Sequence, residues 1–203
     1  NSAAQRQEKK NYNLKQDYTF YANKNHTLRF GFNLLYHRFK PGENKSDDGI
    51  NLEALDNQNA LEAGVYIGDD WKITPRIQVN YGVRFSSFTQ FGPGELYTFN
   101  EIGDVLDTTN YDRFEPVQSY FGIEPRLSSR FMINEKNSLK AGYSYSKQYL
   151  HLLSNSTTGF PTDIWMPSTQ NITPQSTHQV SVGYFRNFYQ NLFEMSVEAY
   201  YKD

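Results

Sequence analysis

Residues 60–88 read ALEAGVYIGDDWKITPRIQVNYGVRFSSF, and the alternation in this stretch decides the fold. Outward from Thr74-Pro75-Arg76 it divides into two runs. In the first, Leu61, Ala63, Val65, Ile67, Trp71 and Ile73 share one parity, and Glu62, Gly64, Tyr66, Gly68, Asp70 and Lys72 take the other. In the second, Ile77, Val79, Tyr81, Val83 and Phe85 alternate with Gln78, Asn80, Gly82, Arg84 and Ser86. A period of two puts alternate side chains on opposite faces of a strand, so the stretch predicts a β-hairpin with one oily and one polar face. The polar face is too wet for the core of a soluble sheet.

The same alternation recurs along the chain. Tyr12, Leu14, Tyr18 and Phe20 precede the turn residues Asn23-Lys24-Asn25, and Leu28, Phe30, Phe32 and Leu34 follow them. Phe121, Ile123, Leu127, Phe131 and Ile133 alternate with Gly122, Glu124, Arg126, Ser128 and Arg130. Residues 134–137 turn the chain into Leu139, Ala141, Tyr143 and Tyr145. Val180, Val182 and Tyr184 lead through a turn at 187–191 to Phe193, Met195, Val197, Ala199 and Tyr201. Residues 42–59, 90–117 and 150–175 show no sustained period and read as long loops, with partial order allowed in the second. Pro125 falls within a strand and predicts a local break in pairing, at an edge or a bulge.

The expected fold is all-β: an antiparallel up-and-down meander of about eight strands, treated as one unit over residues 1–203. Its connections run short, long, short, long. Outer-membrane barrels keep that rhythm, with short periplasmic turns and long extracellular loops, and about 10 tilted residues cross their apolar band. Because the first connection is short, both ends of an eight-strand meander fall on the extracellular side. Complete barrels end in the periplasm, so the chain is expected to be an excerpt from a larger barrel whose open edges would make an isolated fragment self-associate.

Composition narrows the classes. Lys plus Arg number 20 against 22 Asp plus Glu, with a pI near 6.1, so nothing marks a nucleic-acid binder. Mean hydropathy is -0.74, and no apolar run reaches the length of a spanning helix. A membrane β-barrel would not show one either, since half its strand residues are polar. The absence of cysteine excludes disulfide frameworks, thiolate catalysis and thiolate metal sites. Tyr 16 and Phe 15 suit strands and interfacial aromatic girdles. Residues 1–10 lack the apolar core of a signal peptide.

Glycines 31, 64, 68, 82, 122, 142 and 183 all fall on the polar parity. Either long charged side chains or a plug crowd that face, or the lipid face rewards large side chains. The charged residues expected to face the lumen are Glu62, Arg84, Glu124, Arg126, Arg130, Glu194 and Glu198.

Particular motifs resemble a known family. VYIGDDWKITPR (65–76) followed by GVRF (82–85) resembles the mid-barrel hairpin of TonB-dependent outer-membrane receptors, as does EPRLS (124–128) followed by LKAGYS (139–144). QYLHLL (148–153) and PTDIW (161–165) are similar to the branch carrying an N-terminal carboxypeptidase-like regulatory domain. The resemblance implies a barrel of about 22 strands around a plug, in the outer membrane of a Gram-negative bacterium. It also implies import of a scarce nutrient energised through TonB, with a surface lipoprotein as a further partner. No cofactor is implied.

Chemical sites are sparse. His26, His37, His151 and His178 share no metal-ligand spacing, and ordinary polar or interfacial roles are expected for them. Asn44, Ser46, Asp48 and Gly49 suggest a calcium loop, but Leu55 stands where the closing glutamate belongs. His178 and Ser181 differ in parity and cannot form a base and nucleophile on one face, so a barrel enzyme is not expected. Glu194 and Glu198 read as solvated or paired wall charges. Phe160, Asp163 and Trp165 are the candidates for contact with a ligand or partner, with packing of Trp165 onto the rim as the other reading. A soluble surface-exposed β-sheet module binding a ligand or glycan is the alternative to a transport barrel.

Overall fold

The structure is a computed structural model and describes residues 8–40, 58–100, 102–153, 164–189 and 192–203. Its strands in chain order are β1 (Glu8–Tyr21), β2 (His26–Lys40), β3 (Gln58–Thr74), β4 (Ile77–Phe91), β5 (Gly94–Phe99), β6 (Val105–Tyr111), β7 (Pro116–Asn134), β8 (Asn137–Gln148), β9 (Leu150–Leu153), β10 (Ile164–Pro167), β11 (Gln175–Phe188) and β12 (Phe193–Lys202). An antiparallel sheet of eight strands runs in the order β1-β2-β3-β4-β7-β8-β11-β12, which is the expected meander. It is open, with β1 and β12 at its edges.

The short turns are built by side chains that satisfy backbone donors. Asn23 Oδ1 accepts from the N–H groups of Asn25 and His26 at 2.8 and 3.0 Å, and Thr74 Oγ1 accepts from Arg76 and Ile77 at 3.2 and 3.0 Å. Asn134 Oδ1 accepts from Lys136 at 2.9 Å. Each turn thus opens on a residue whose short side-chain oxygen reaches the backbone two residues on.

Two expectations are corrected. Most strands of the sheet exceed the expected length of about 10 residues: β3 has 17 and β7 has 19, while β12 has 10. At the end away from the short turns, β4 and β7 keep pairing as far as Phe91 with Pro116. The long connections are also not wholly irregular. Residues 90–117 contain the β5–β6 hairpin, and residues 150–175 contain β9–β10, each a separate two-stranded sheet.

Pro125 breaks pairing on one side only. Toward β4 it sits opposite Val83 in an uninterrupted register, and no bulge forms there. Toward β8, pairing climbs from the turn to Arg126 opposite Ser144 and stops. Proline has no N–H to give the next strand. β8 continues paired to β11 as far as Gln148 opposite Gln175, so a seam separates its outer end from β7. Lys147 Nζ reaches over this seam to the Phe121 carbonyl at 2.9 Å.

The two faces differ as the alternation requires. Val65, Ile67, Phe85, Ile123 and Val182, all on the oily parity, are about half exposed or more. A charged residue also stands on that parity. Asp69 is only 6% exposed because His26 Nδ1 meets its Oδ2 at 2.6 Å and the Tyr81 hydroxyl donates to the same oxygen at 3.2 Å. Trp71 stacks on the His26 ring at 5.4 Å. A carboxylate on an apolar face needs such partners.

The polar face is crowded enough to demand glycine at Gly31. A Cβ there would stand 2.3 Å from the Gln16 carbonyl oxygen and 2.8 Å from the Tyr66 hydroxyl, which itself donates to Asp17. A backbone atom cannot step aside as a side-chain tip does. Gly31→Ala is therefore expected to part β1 from β2 and destabilise the fold by about 1–3 kcal/mol. Equilibrium unfolding and faster amide exchange along β1 are the measurements.

Candidate functional site

Strand register assembles the site on the polar face. Gly31, Tyr66, Arg84 and Glu124 form one cross-strand row, since Gly31 pairs with Tyr66, Tyr66 with Arg84 and Arg84 with Glu124. The next row outward is Asn33, Gly64, Ser86 and Gly122, and the one beyond it includes Glu62, Phe88 and Tyr120. Arg84 lies directly opposite Glu124 on β7 and two rows from Glu62 on β3. Its Nη2 reaches Glu62 Oε1 at 3.3 Å, and its Nε lies 3.9 Å from Glu124 Oε1. Gly64 makes the first contact possible, because a Cβ there would meet Arg84 Nη2 at 2.7 Å. Three of the residues expected on the lumen face thus form one charged group.

Ser86 extends the group to a residue that the alternation could not place. Its hydroxyl donates to Glu124 Oε1 at 2.6 Å, leaving a lone pair that accepts from the Tyr149 hydroxyl at 2.8 Å. Ser86, Glu124 and Tyr149 are all at most 5% exposed. A Cβ on Gly122 would lie 2.6 Å from Ser86 Oγ and 2.8 Å from the Tyr149 hydroxyl, so Gly122 provides the notch in which they meet. Burial pushes the Tyr149 phenol up, which keeps the donor protonated.

Tyr149 belongs to a strap that leaves the wall. Its ring stacks on Phe88 at 5.2 Å, and the two are buried with Ala60 against Tyr120 and Leu150. The Tyr120 hydroxyl donates to the Thr169 carbonyl at 2.7 Å. Within the strap, the Ser168 N–H donates to the Tyr149 carbonyl at 2.8 Å, and His151 Nε2 lies 2.9 Å from Ser168 Oγ. His151 is buried, which lowers its imidazole from the usual range and favours the neutral ring. A small apolar core therefore sits on the face whose pattern predicted only polar residues. Phe88 and Tyr120 fall on the polar parity at neighbouring strand ends, and that was the available signal.

Below this core lies a recess of about 610 Å³, lined by Lys15, Arg29, Asp70, Arg84, Arg126 and Ser128 among others. Arg29 pairs with Asp70 at 2.6 Å and Lys15 with Asp17 at 2.9 Å. Arg126 and Arg130 are exposed and hold no ion pair among the described residues. Glu194 and Glu198 lie exposed along β12, opposite Asn187 and Gly183, away from the Arg84 group. Trp165 stands on β10 beneath the Lys9 ammonium, 4.0 Å above its ring centroid. Phe160 and Asp163 lie outside the described residues. His178 faces outward beside the Tyr143 hydroxyl at 3.0 Å, on the side opposite Ser181.

Removing Arg84 would leave the buried Glu124 and the part-buried Glu62 without their shared cation. Arg84→Ala is expected to cost about 3–5 kcal/mol, and Glu62→Ala added to it should recover part of the loss. Unfolding of the four members of this cycle in lipid vesicles checks the coupling.

The TonB dependent receptor-like, beta-barrel family profile matches residues 1–203. Among solved structures, the FrpB iron transporter from Neisseria meningitidis (F3-3 variant) aligns at TM-score 0.66 with 14% identity, covering 97% of this chain and 28% of that one. The ferric-catecholate import receptor Fiu from E. coli K12, in its open form, aligns at 0.55 with 12% identity, covering 97% and 30%. At such identities these likenesses speak to the fold, and the chain spans under a third of either protein's length. No curated protein sequence matches. With the profile covering every residue and the eight-stranded meander matching a segment of such barrels, the chain belongs to the TonB-dependent receptor-like β-barrel family.

Proposed function

We propose that this chain is part of the wall of an outer-membrane barrel in a Gram-negative bacterium, and that the whole protein imports a scarce nutrient with energy delivered through TonB. The observation that carries this reading is the two-faced sheet. Large apolar side chains are exposed on one parity, while charges, small residues and a recess occupy the other. A soluble binding module would have to cover the first face. In a bilayer, lipid covers it.

Import of iron as an anionic chelate fits the guanidiniums of Arg126 and Arg130, which hold no ion pair among the described residues, and the names of FrpB and Fiu favour iron as cargo. Transport needs no bond chemistry, and the Glu62, Arg84, Glu124 group is read as a wall-bracing charge cluster rather than a catalytic one. The motifs at 148–153 and 161–165 support membership of the branch with a carboxypeptidase-like regulatory domain and a surface lipoprotein partner. Phe160, Asp163 and Trp165 are proposed as contacts for that partner or for ligand.

The outer-facing hairpin and the inner turns distinguish this reading in intact cells. Single cysteines replacing Ile102, which is 86% exposed, should react with a membrane-impermeant thiol reagent. Cysteines replacing Arg76 or Lys136 should react only after permeabilisation. The opposite pattern would overturn the topology. For the wall itself, Val65→Arg is expected to cost about 2–4 kcal/mol in vesicles and Asn80→Arg much less. Uptake of a labelled ferric catecholate that persists without TonB would remove the energetic part of the proposal.

A further inference from the structure

The wall is not of even height, and its step lies between β7 and β8. β7 has 19 residues and β8 has 12. Counted outward from the Arg126–Ser144 pair, Gln148 at the end of β8 stands level with Gly122, while β7 climbs on, held by β4, to Pro116 opposite Phe91. β11 adds no height there, since its last pair with β8 is Gln175 with Gln148. One edge of β7 is therefore bare at the step. In extended backbone the N–H and C=O of one residue point to the same side, and those of the next residue to the other. Lys147 Nζ reaches the Phe121 carbonyl from the β8 side at 2.9 Å, so Ser119, Phe121 and Ile123 all turn their backbone groups toward the step. The ladder with β8 includes none of the three, and no connecting residue among those described bonds to their backbone. The Gln118 amide reaches the Ser119 carbonyl at 3.4 Å. Side-chain exposure follows the same line: Phe121 is 75% exposed and Ile123 61%, against 48% for Phe85 on β4, which has strands on both sides.

We propose that this edge of β7 is a docking site for an extended segment of a surface partner, which adds as a strand beside Ser119 and Phe121. The proposal rests on the transport reading, which puts this end of the wall outside the cell. The chemistry of the edge selects its occupant. A row of N–H and C=O groups at strand spacing is matched in register only by another extended backbone. Lipid tails would leave those groups unpaired. A second receptor in the same membrane presents β7 in the same direction, so antiparallel addition falls to a separate chain. Phe121 favours an apolar residue beside it on the outward face of the added strand. Lys147 guards the site, because its ammonium holds the Phe121 carbonyl that the added strand would use, and a lysine at a bare edge opposes indiscriminate pairing.

The test uses the full-length receptor in the outer membrane of intact cells, with a fluorescent synthetic peptide of alternating threonine and valine as the probe strand. Binding should saturate on cells that carry the receptor. Ser119→Pro removes the edge-facing N–H and leaves pairing to β4 intact, as Pro125 does on the same side of the same strand. It should weaken binding roughly two- to tenfold, the range set by one hydrogen bond. Lys147→Met frees the Phe121 carbonyl and should strengthen binding by a similar factor. Heat-modifiable mobility confirms assembly of each variant, and Lys147→Met serves as the second route should Ser119→Pro assemble poorly. Absence of saturable binding, with the edge covered by the receptor's own chain or by lipid, overturns the proposal. Binding that neither assembled variant alters overturns it too. Ile102→Cys on the same cells separates the two readings: if it reacts with the impermeant reagent while the peptide fails, the transport reading stands alone, and if it does not react, both fall.

Discussion

Every part of this structure depends on backbone hydrogen bonding between neighbouring strands. A wall with lipid on one side has no water there to satisfy a stray N–H or carbonyl, so each strand must find its partners in the next one. The register therefore runs unbroken over nearly the whole of β1 to β4 and β7, and it determines which side chains share a row. The Arg84 group follows from this directly. Arg84 meets Glu124 because β4 and β7 align them, and it reaches Glu62 because Gly64 leaves the row between them open.

The polar face divides into two parts with different electrostatics. Across β1 to β4 each cation of the recess has a carboxylate within reach, as in Lys15 with Asp17, Arg29 with Asp70, and Arg84 with Glu62. On β7 the guanidiniums of Arg126 and Arg130 hold no ion pair among the described residues and stand beside the small residues Ser128 and Gly142. Paired charges hold a wall together and contribute little field. Charges without a partner project a field into the space they line.

Pro125 is where the pairing constraint is relaxed. The same missing donor ends one seam without disturbing the other, and the chain after β8 leaves the wall and packs on its polar face. Burial of Tyr149, His151 and Ser168 then converts a connection into a folded strap with its own small core. The outer end of the lumen face is apolar where the strap lands and polar elsewhere.

The alternation of residues 60–88 and its repeats determined the wall by itself: eight strands in sequential order, which parity each side chain takes, and which charges share the polar face. Period two is a local property of extended backbone, and nothing distant can change it. The turn residues were legible for the same reason, since Asn23, Thr74 and Asn134 act on donors two residues away. Pro125 announced a break, but which neighbour it would lose depended on the strands placed to its left and right. Residues 150–175 carried no period, so their path stayed illegible. Only the tertiary structure brought Tyr149 to Ser86 across a sequence separation of 63 residues, placed Phe88 in a core on the polar side, and buried Asp69 on the oily side under His26 and Tyr81. Those contacts join residues from strands that are remote in the chain, and their geometry exists only once the register has stacked the rows.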